Sequence, residues 1–125
     1  MKRRAGFTMV EVMIVVVIVG ILASVSVPIY RGNIRRAMSS EGTALLGCVL
    51  TMQHVYFSEH GTYAQNKSDL MIDLVGQKYF TDYAVLSADK TGFTAETRGW
   101  KDAAGIVVRM DYTRPGGARF TLSGL

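Results

Sequence analysis

The sequence predicts an α+β fold, in which one long N-terminal helix packs on a small antiparallel β-sheet head. Residues 7–27 form an apolar run, and apolar side chains then recur at helical spacings of three and four positions as far as Tyr56. Beyond Tyr83 the period falls to two, in short segments separated by glycine-containing turns. A chain of 125 residues is one domain at most, and about half of it belongs to the predicted helix.

The first half of the predicted helix, residues 7–30, contains Glu11 as the only charge within its apolar run. This half is long enough to cross a hydrocarbon core of about 30 Å. A carboxylate among lipid-facing side chains costs roughly 2.5 to 3.5 kcal/mol on insertion scales, so Glu11 needs a partner. Cleavage between Gly6 and Phe7 would create a positive α-amino group within about one helical turn of Glu11, on the same or a neighbouring chain.

The first residues resemble the class III signal of the type IV pilin and pseudopilin family. The resemblance rests on a basic leader, Met1-Lys2-Arg3-Arg4-Ala5-Gly6, followed by Phe7 and by Glu11 at the fifth mature position. An ordinary signal peptide, with small residues at 23–26 for the general signal peptidase, and a plain membrane anchor are the alternatives. Both leave Glu11 without a purpose, so the family resemblance is the better interpretation.

The resemblance implies a pilin-like architecture and a processing pathway. Residues 1–6 are a leader that a prepilin peptidase removes by cutting after Gly6, and the same enzyme methylates the amine of Phe7. Glu11 then serves subunit assembly, while Gly20 and Pro28 bracket a segment that loosens in the filament. The basic leader stays in the cytoplasm, so the precursor crosses the inner membrane once, and the mature protein joins an extracellular pilus or a periplasmic pseudopilus.

The second half of the helix, residues 31–60, is predicted to be amphipathic and to dock on the head. From Phe7 to His60 the helix would be a rod of roughly 80 Å, ended by Gly61. Its polar side carries Arg31, Arg35, Ser39 and Gln53, and Glu41 interrupts the apolar stripe once. The stripe is predicted to consist of Ile34, Met38, Leu45, Cys48, Met52 and Val55, widened by Ala37, Ala44, Val49 and Tyr56.

The head, residues 61–125, is predicted to begin with a loop and a short helix from Ser68 to Val75. Short connections between consecutive strands favour an antiparallel meander. The last connection, residues 114–117, suits a type II turn with Pro115 second and Gly116 third. Four strands are expected, at Tyr83 to Ser87, Phe93 to Arg98, Ile106 to Tyr112 and Arg119 to Leu122.

No residue pattern predicts catalysis, a cofactor or a metal site. His54 and His60 are six helical positions apart, about 240° around the helix, so they do not share a face. Asp102 and Asp111 are separated by a predicted strand, which argues against the calcium site of related pseudopilins. Cys48 is the single cysteine, so no intramolecular disulfide can form, and we expect it to be a buried small hydrophobe.

The charge balance does not predict a polyanion-binding protein. Removing the three basic leader residues lowers the formal net charge from +4 to +1. Nucleic acid is a possible partner if the basic residues of the head gather into a stripe, but interspersed acids favour a mixed, solvated surface. Those basic residues are Lys67, Lys78, Lys90, Arg98, Lys101, Arg109, Arg114 and Arg119. The aromatic residues, including Tyr30, Tyr56, Phe57, Tyr63 and Trp100, are expected to pack rather than to carry electrons.

The predicted function is that of a structural subunit, without enzymatic activity, in a type IV pilus-like filament. Its partners would be copies of itself, the prepilin peptidase, the pilus or secretion assembly machinery of the inner membrane, and membrane lipid before assembly. Two alternatives stay open at this point. One is a pseudopilin of a type II secretion system, and the other is a minor pilin whose head binds DNA or a surface.

Overall fold

The computed structural model describes residues 5–125, and it has the predicted α+β architecture. The basic residues of the predicted leader, Lys2, Arg3 and Arg4, lie outside the described residues. Contacts divide the chain into two compact units, Met1–Asn33 and Ile34–Leu125. The main elements are helix α1 (Met9–His60) and strands β1 (Tyr83–Ala88), β2 (Gly92–Arg98), β3 (Val107–Thr113) and β4 (Gly117–Ser123).

Local signals at the two ends of α1 explain where the helix begins and ends. Thr8 precedes the first helical residue and caps it, so the helix starts two residues later than Phe7. At the other end Gly61 adopts φ +72°, and its N–H donates to the Phe57 carbonyl at 2.8 Å. This left-handed residue is the terminator that the sequence predicts. Pro28 lies inside α1, and the helix continues through it.

The four strands form one antiparallel sheet in the order β1-β2-β3-β4, which confirms the predicted meander. All four predicted strands are present, with ends that lie within two residues of the predicted ones. Gly92 is required where β2 meets β3, because a Cβ there would overlap the Tyr112 carbonyl oxygen. Leu86 is an extra residue in β1 at a register shift between Val85 and Ser87.

Two local predictions in the head are wrong. The short helix expected from Ser68 to Val75 is a single 3-10 turn, Lys67–Leu70, after which Met71 takes a left-handed conformation with φ +47°. The last connection is a three-residue loop between Thr113 and Gly117 rather than the predicted type II turn. The positive φ falls on Gly117 (+83°), one residue later than such a turn requires.

The core of unit 34–125 lies between the second half of α1 and one face of the sheet. The helix buries a face that is rotated from the predicted one, because polar and small residues lie at its centre. The buried helical residues are Ser39, Gly42, Leu45, Leu46, Val49 and Gln53. They pack with residues of the loops and strands, including Phe80, Ala95, Ile106, Val108 and Met110.

The contacts of two helical residues explain why the buried face departs from the apolar stripe. Gly42 admits the Phe80 ring, since a Cβ at this position would lie 2.9 Å from two ring carbons. Gln53 is fully buried, and its amide exchanges two hydrogen bonds with the backbone of Ala64, at 2.9 and 2.7 Å. Both residues are therefore inward-facing although neither is a hydrophobic core residue by type.

The prediction that Cys48 is buried is wrong. Cys48 lies on the exposed side of α1. The neighbouring stripe residues Ala37, Ala44 and Val55 are exposed as well, because the buried face is centred on Gly42, Leu46 and Val49.

Candidate functional site at the start of the helix

The first turn of α1 contains a reciprocal pair of hydrogen bonds between Thr8 and Glu11. The Thr8 N–H donates to Glu11 Oε2 at 2.7 Å, and the Glu11 N–H donates to Thr8 Oγ1 at 3.3 Å. With Thr8 at the N-cap and Glu11 three residues later, this arrangement is a capping box. It satisfies two of the amide groups that have no partner within the helix, and the carboxylate lies at the positive end of the helix dipole.

Gly6 and Phe7 precede the helix in an exposed segment without regular secondary structure. Phe7 is 89% exposed, and a Cβ placed on Gly6 would meet no atom within 4 Å. The peptide bond between them is therefore accessible to another molecule. In the uncut chain the Phe7 nitrogen is an amide, so the structure describes Glu11 before any α-amine is available to it.

The capping box was missing from the interpretation of the sequence. The spacing of a threonine and a glutamate three residues later, just before an apolar run, is a recognisable helix start. It gives Glu11 a partner within its own turn. The predicted pairing of Glu11 with the amine of Phe7 remains a prediction.

The apolar half of α1 has its side chains exposed throughout. Its most apolar stretch has a mean hydropathy of 2.9 and contains no buried residue, and the helix is long and apolar enough to cross a membrane. Valine and isoleucine side chains from Val10 to Ile29 are about half to two thirds exposed. A Cβ on Gly20 would touch nothing within 4 Å. The expected flexibility at Gly20 and Pro28 stays a prediction.

The basic residues of the head do not form an unpaired cationic stripe. Lys67 pairs with Asp82 at 2.6 Å, Arg98 pairs with Glu96 at 2.7 Å, and Arg109 lies 3.8 Å from Asp111. Others lie over aromatic rings: Lys78 over Tyr79, Lys101 over Trp100 and Arg114 over Phe57. This mixed surface is the one that the interspersed acids predicted.

The aromatic residues near the end of α1 pack around Tyr63. Its ring lies 4.8 Å from Phe57, 5.3 Å from Phe93 and 5.6 Å from Tyr112. Burial, together with the neighbouring Tyr112 phenol, raises the pKa of Tyr63 to about 12, so its hydroxyl stays neutral. The cluster is therefore a packing feature of the head.

The two histidines, His54 and His60, pack on different aromatic residues. His54 lies edge-on to Tyr112 at 5.1 Å, whereas His60 stacks on Tyr56 at 4.1 Å. Within residues 5–125, no group of three or more metal-binding side chains comes together.

A small α+β head continues from a long helix whose N-terminal half is exposed and largely apolar, which defines a class of proteins with an N-terminal helix long and apolar enough to cross a membrane. Comparison with known proteins makes the class specific. Residues 1–27 match the family described as "Prokaryotic N-terminal methylation motif". The chain belongs to the type IV pilin family.

Three similar proteins illustrate the membership. The chain is 33% identical over 93 residues to the fimbrial protein EcpC of Eikenella corrodens, covering 74% of this chain and 61% of that protein. It is 33% identical over 107 residues to a fimbrial protein of Dichelobacter nodosus, covering 86% and 66%. It is 37% identical over 68 residues to the type IV major pilin protein PilA of Myxococcus xanthus, covering 54% and 31%. The chain thus spans between about a third and two thirds of the length of these relatives.

Proposed function

We propose that this chain is a structural subunit of a type IV pilus-like filament, held in the inner membrane as a single-pass precursor before assembly. The observation that carries the proposal is the apolar half of α1, whose long hydrophobic surface is exposed over its whole length. Such a surface requires lipid or other apolar helices around it. Lipid covers it in the precursor, and copies of the same helix cover it in the filament.

Cleavage after Gly6 converts the membrane-bound precursor into the form that assembles into the filament. A prepilin peptidase cuts the accessible bond after Gly6, and the amine of Phe7 is methylated. The match to a methylation motif over residues 1–27 supports this step. Removal of the leader also removes the basic residues that hold the N-terminus in the cytoplasm.

Glu11 has one role before cleavage and a second role after it. In the uncut chain its Oε2 is held by Thr8, while Oε1 accepts no hydrogen bond from the described residues. The second oxygen is therefore available to the α-amine of Phe7 on a neighbouring subunit. The capping box lowers the cost of keeping the carboxylate in the membrane, and the pairing with the amine drives assembly.

The names of the similar proteins, fimbrial proteins and major pilins, favour a pilus over a secretion pseudopilus. The paired cations of the head give no support to a DNA-binding minor pilin. We propose no enzymatic activity.

Substitution of Glu11 tests the assembly step. In a cell that lacks the native gene, the Glu11→Val variant should be cleaved normally but should form few or no filaments. Losing one partner of a buried charge pair typically costs about 3 to 5 kcal/mol. Electron microscopy of sheared filaments and immunoblots of the membrane fraction measure the two pools. A wild-type filament yield from Glu11→Val would contradict the proposed pairing.

Two further variants separate cleavage from capping. Gly6→Leu should leave an uncut precursor, and mass spectrometry of the N-terminus should find Phe7 first only in the wild-type protein. Thr8→Val removes the hydroxyl of the capping box but keeps the Thr8 N–H that Glu11 accepts from. It should therefore reduce filament yield less than Glu11→Val does. Normal maturation of Gly6→Leu would count against the proposed processing site.

A further inference from the structure

An acidic groove lies beside the C-terminal end of α1. Its volume is about 410 Å³, and Val55, Glu59, Asp69 and Met71 are among its lining residues. Glu59 and Asp69 are exposed, and neither forms a salt bridge among the described residues. His60 also lines the groove, and its most exposed apolar side chains are those of Val55, which is 45% exposed, and Met71, which is 88% exposed.

The loop that follows the 3-10 turn also has exposed apolar side chains. Met71 is held in a left-handed conformation, which a residue with a side chain adopts at a cost. Val75, four residues on, is 89% exposed, and Asp73 between them is also exposed. Exposed apolar side chains that form a continuous patch rimmed by polar residues mark interaction surfaces.

A basic aromatic patch, formed by Lys78, Tyr79, Trp100 and Lys101, has the opposite character. The two lysine ammonium groups lie 4.8 Å from the centre of the Tyr79 ring and 4.5 Å from that of Trp100. The backbone N–H of Trp100 donates to the Tyr79 carbonyl at 2.9 Å, so the two pairs form one surface. Trp100 is 48% exposed and is the largest apolar side chain of the patch, and Asp102 offsets part of the positive charge.

The two surfaces lie at different heights along the same helix. Glu41 accepts hydrogen bonds from the backbone N–H groups of Lys78 and Tyr79, so the basic aromatic patch lies beside position 41. Glu59 belongs to the acidic groove. Eighteen positions, or five helical turns, separate Glu41 from Glu59, which places them on the same side of α1 about 27 Å apart.

We propose that the acidic groove of one head binds the basic aromatic patch of a second copy, which is displaced along the helix axis and rotated about it so that the two surfaces face each other. This inference rests on the proposed filament function. Charge complementarity identifies the occupant: Lys78 and Lys101 face the groove carboxylates, and Trp100 covers Val55 and Met71. Large aromatic side chains such as tryptophan and tyrosine are enriched at the centres of protein interfaces.

The proposed contact is heterologous, because each copy uses two different surfaces. A contact of this type continues from subunit to subunit and builds an open helical array unless it closes into a ring. The apolar halves of α1 would hold the centre of the filament, and the head contacts would set the displacement between neighbouring subunits.

Cysteine cross-linking in assembled filaments tests the geometry. In a Cys48→Ser background, a chain carrying both Met71→Cys and Lys101→Cys should give a ladder of dimers, trimers and higher species after mild oxidation. Either substitution alone should give monomers, and a mixture of the two single variants should stop at dimers. A chain carrying Met71→Cys with Lys90→Cys is the matched control, and it should not give a ladder.

Charge reversal tests the energetics in the full-length protein. Lys101→Glu should remove most sheared filaments, and adding Asp69→Lys to it should restore a large part of them. Lys90→Glu makes the same charge change on an exposed residue outside both surfaces, and it should leave filament yield near wild type. Equal losses from Lys90→Glu and Lys101→Glu would overturn the proposed interface.

The two proposals fail in distinguishable ways. If the wild-type chain forms filaments but the cysteine pair gives no ladder, or if Met71→Cys alone gives dimers, the interface is wrong and the filament function stands. If the wild-type chain forms no filaments in a cell with a complete assembly system, the filament function fails and this inference fails with it.

Discussion

Helix α1 carries two carboxylates that accept backbone hydrogen bonds in very different ways. Glu11 is held by Thr8 in its own turn, at 2.7 Å. Glu41 accepts three N–H groups, from Lys78, Tyr79 and Phe80, at 2.7 to 3.2 Å, and these residues lie almost forty positions away in the chain. The Glu11 carboxylate in the first half of the helix is thus bonded within its own helical turn. The Glu41 carboxylate in the second half instead binds the backbone of the head.

The glycines of the two halves differ in the same way. Gly20 has open space around it, while Gly42 is pressed against Phe80 and Val108. The sequence of the first half is therefore free of constraints from the head, and its surface is available to other molecules. The second half is constrained by tertiary contacts at nearly every buried position. Substitutions there should therefore change the stability of the head, whereas substitutions in the first half should not.

The largest effect on stability is expected from Gln53→Ala. It leaves the N–H and the carbonyl of Ala64 buried without partners, and each such group costs about 1 to 3 kcal/mol. Urea unfolding of the full chain in detergent, followed by circular dichroism, measures the free energy of unfolding. Thr51→Ala is the matched control, because the exposed Thr51 hydroxyl bonds only to Gly47 of its own helix. Equal losses from both variants would contradict the role given to Gln53.

Gly42→Ala should lower the free energy of unfolding by about 1 to 3 kcal/mol, because the new Cβ must displace the Phe80 ring and the Val108 methyl group. Gly47→Ala is the control within the same segment, since a Cβ there meets nothing within 4 Å. The control should be stabilising by roughly 0.5 to 1 kcal/mol, because alanine is the better helix former. Gly20→Ala should leave head unfolding unchanged. A stabilising Gly42→Ala would show that the contact with Phe80 is not tight.

The acid dependence of stability should change in Glu41→Gln. Burial acts to raise the pKa of Glu41, but the three backbone hydrogen bonds from Tyr79, Phe80 and Lys78 and the Lys78 charge together lower it below its ordinary value of 4.5. A carboxyl group with a lowered pKa in the folded state stabilises the fold above that ordinary value. This contribution is lost as the pH falls through the lowered value.

The difference in thermal midpoint between wild type and Glu41→Gln should therefore be constant above about pH 5.5 and shrink toward pH 3. Asp82 and Asp89, whose pKa values are also lowered, are common to both proteins and cancel in the comparison. A difference that grows on acidification would contradict the assignment.

Cys48→Ser should have the smallest effect, within about 0.5 kcal/mol, because Cys48 is exposed. A loss of 2 kcal/mol or more, measured by the same urea titration, would mean that the residue is buried after all. The comparison of Cys48→Ser with Gln53→Ala then shows which face of α1 packs against the head.

The sequence predicted the elements better than it predicted the contacts. The long helix, its end at Gly61 and the order of the strands follow from local signals, namely periodicity and turn residues. The buried face could not be read from hydrophobicity, because Gln53 is buried by its hydrogen bonds to Ala64 and Gly42 is buried by the lack of a side chain. Such positions depend on partners that are distant in the chain.

The candidate site shows the same division. Gly6, Phe7 and Glu11 were identified from the sequence by their order and chemistry alone. The hydrogen bonds that Glu11 makes with Thr8 were overlooked, although the capping-box spacing was visible. The basic aromatic patch was out of reach, since Tyr79 and Trp100 are joined only through a backbone hydrogen bond across the fold.

The meander order of the sheet has a consequence for synthesis. Each strand pairs with the strand made just before it, so no strand must wait for a partner that is still to be translated. With α1 already complete, the head can build its sheet one hairpin at a time as the chain emerges. Short-range pairing of this kind favours rapid folding and limits the time during which unpaired strand edges meet those of other nascent chains.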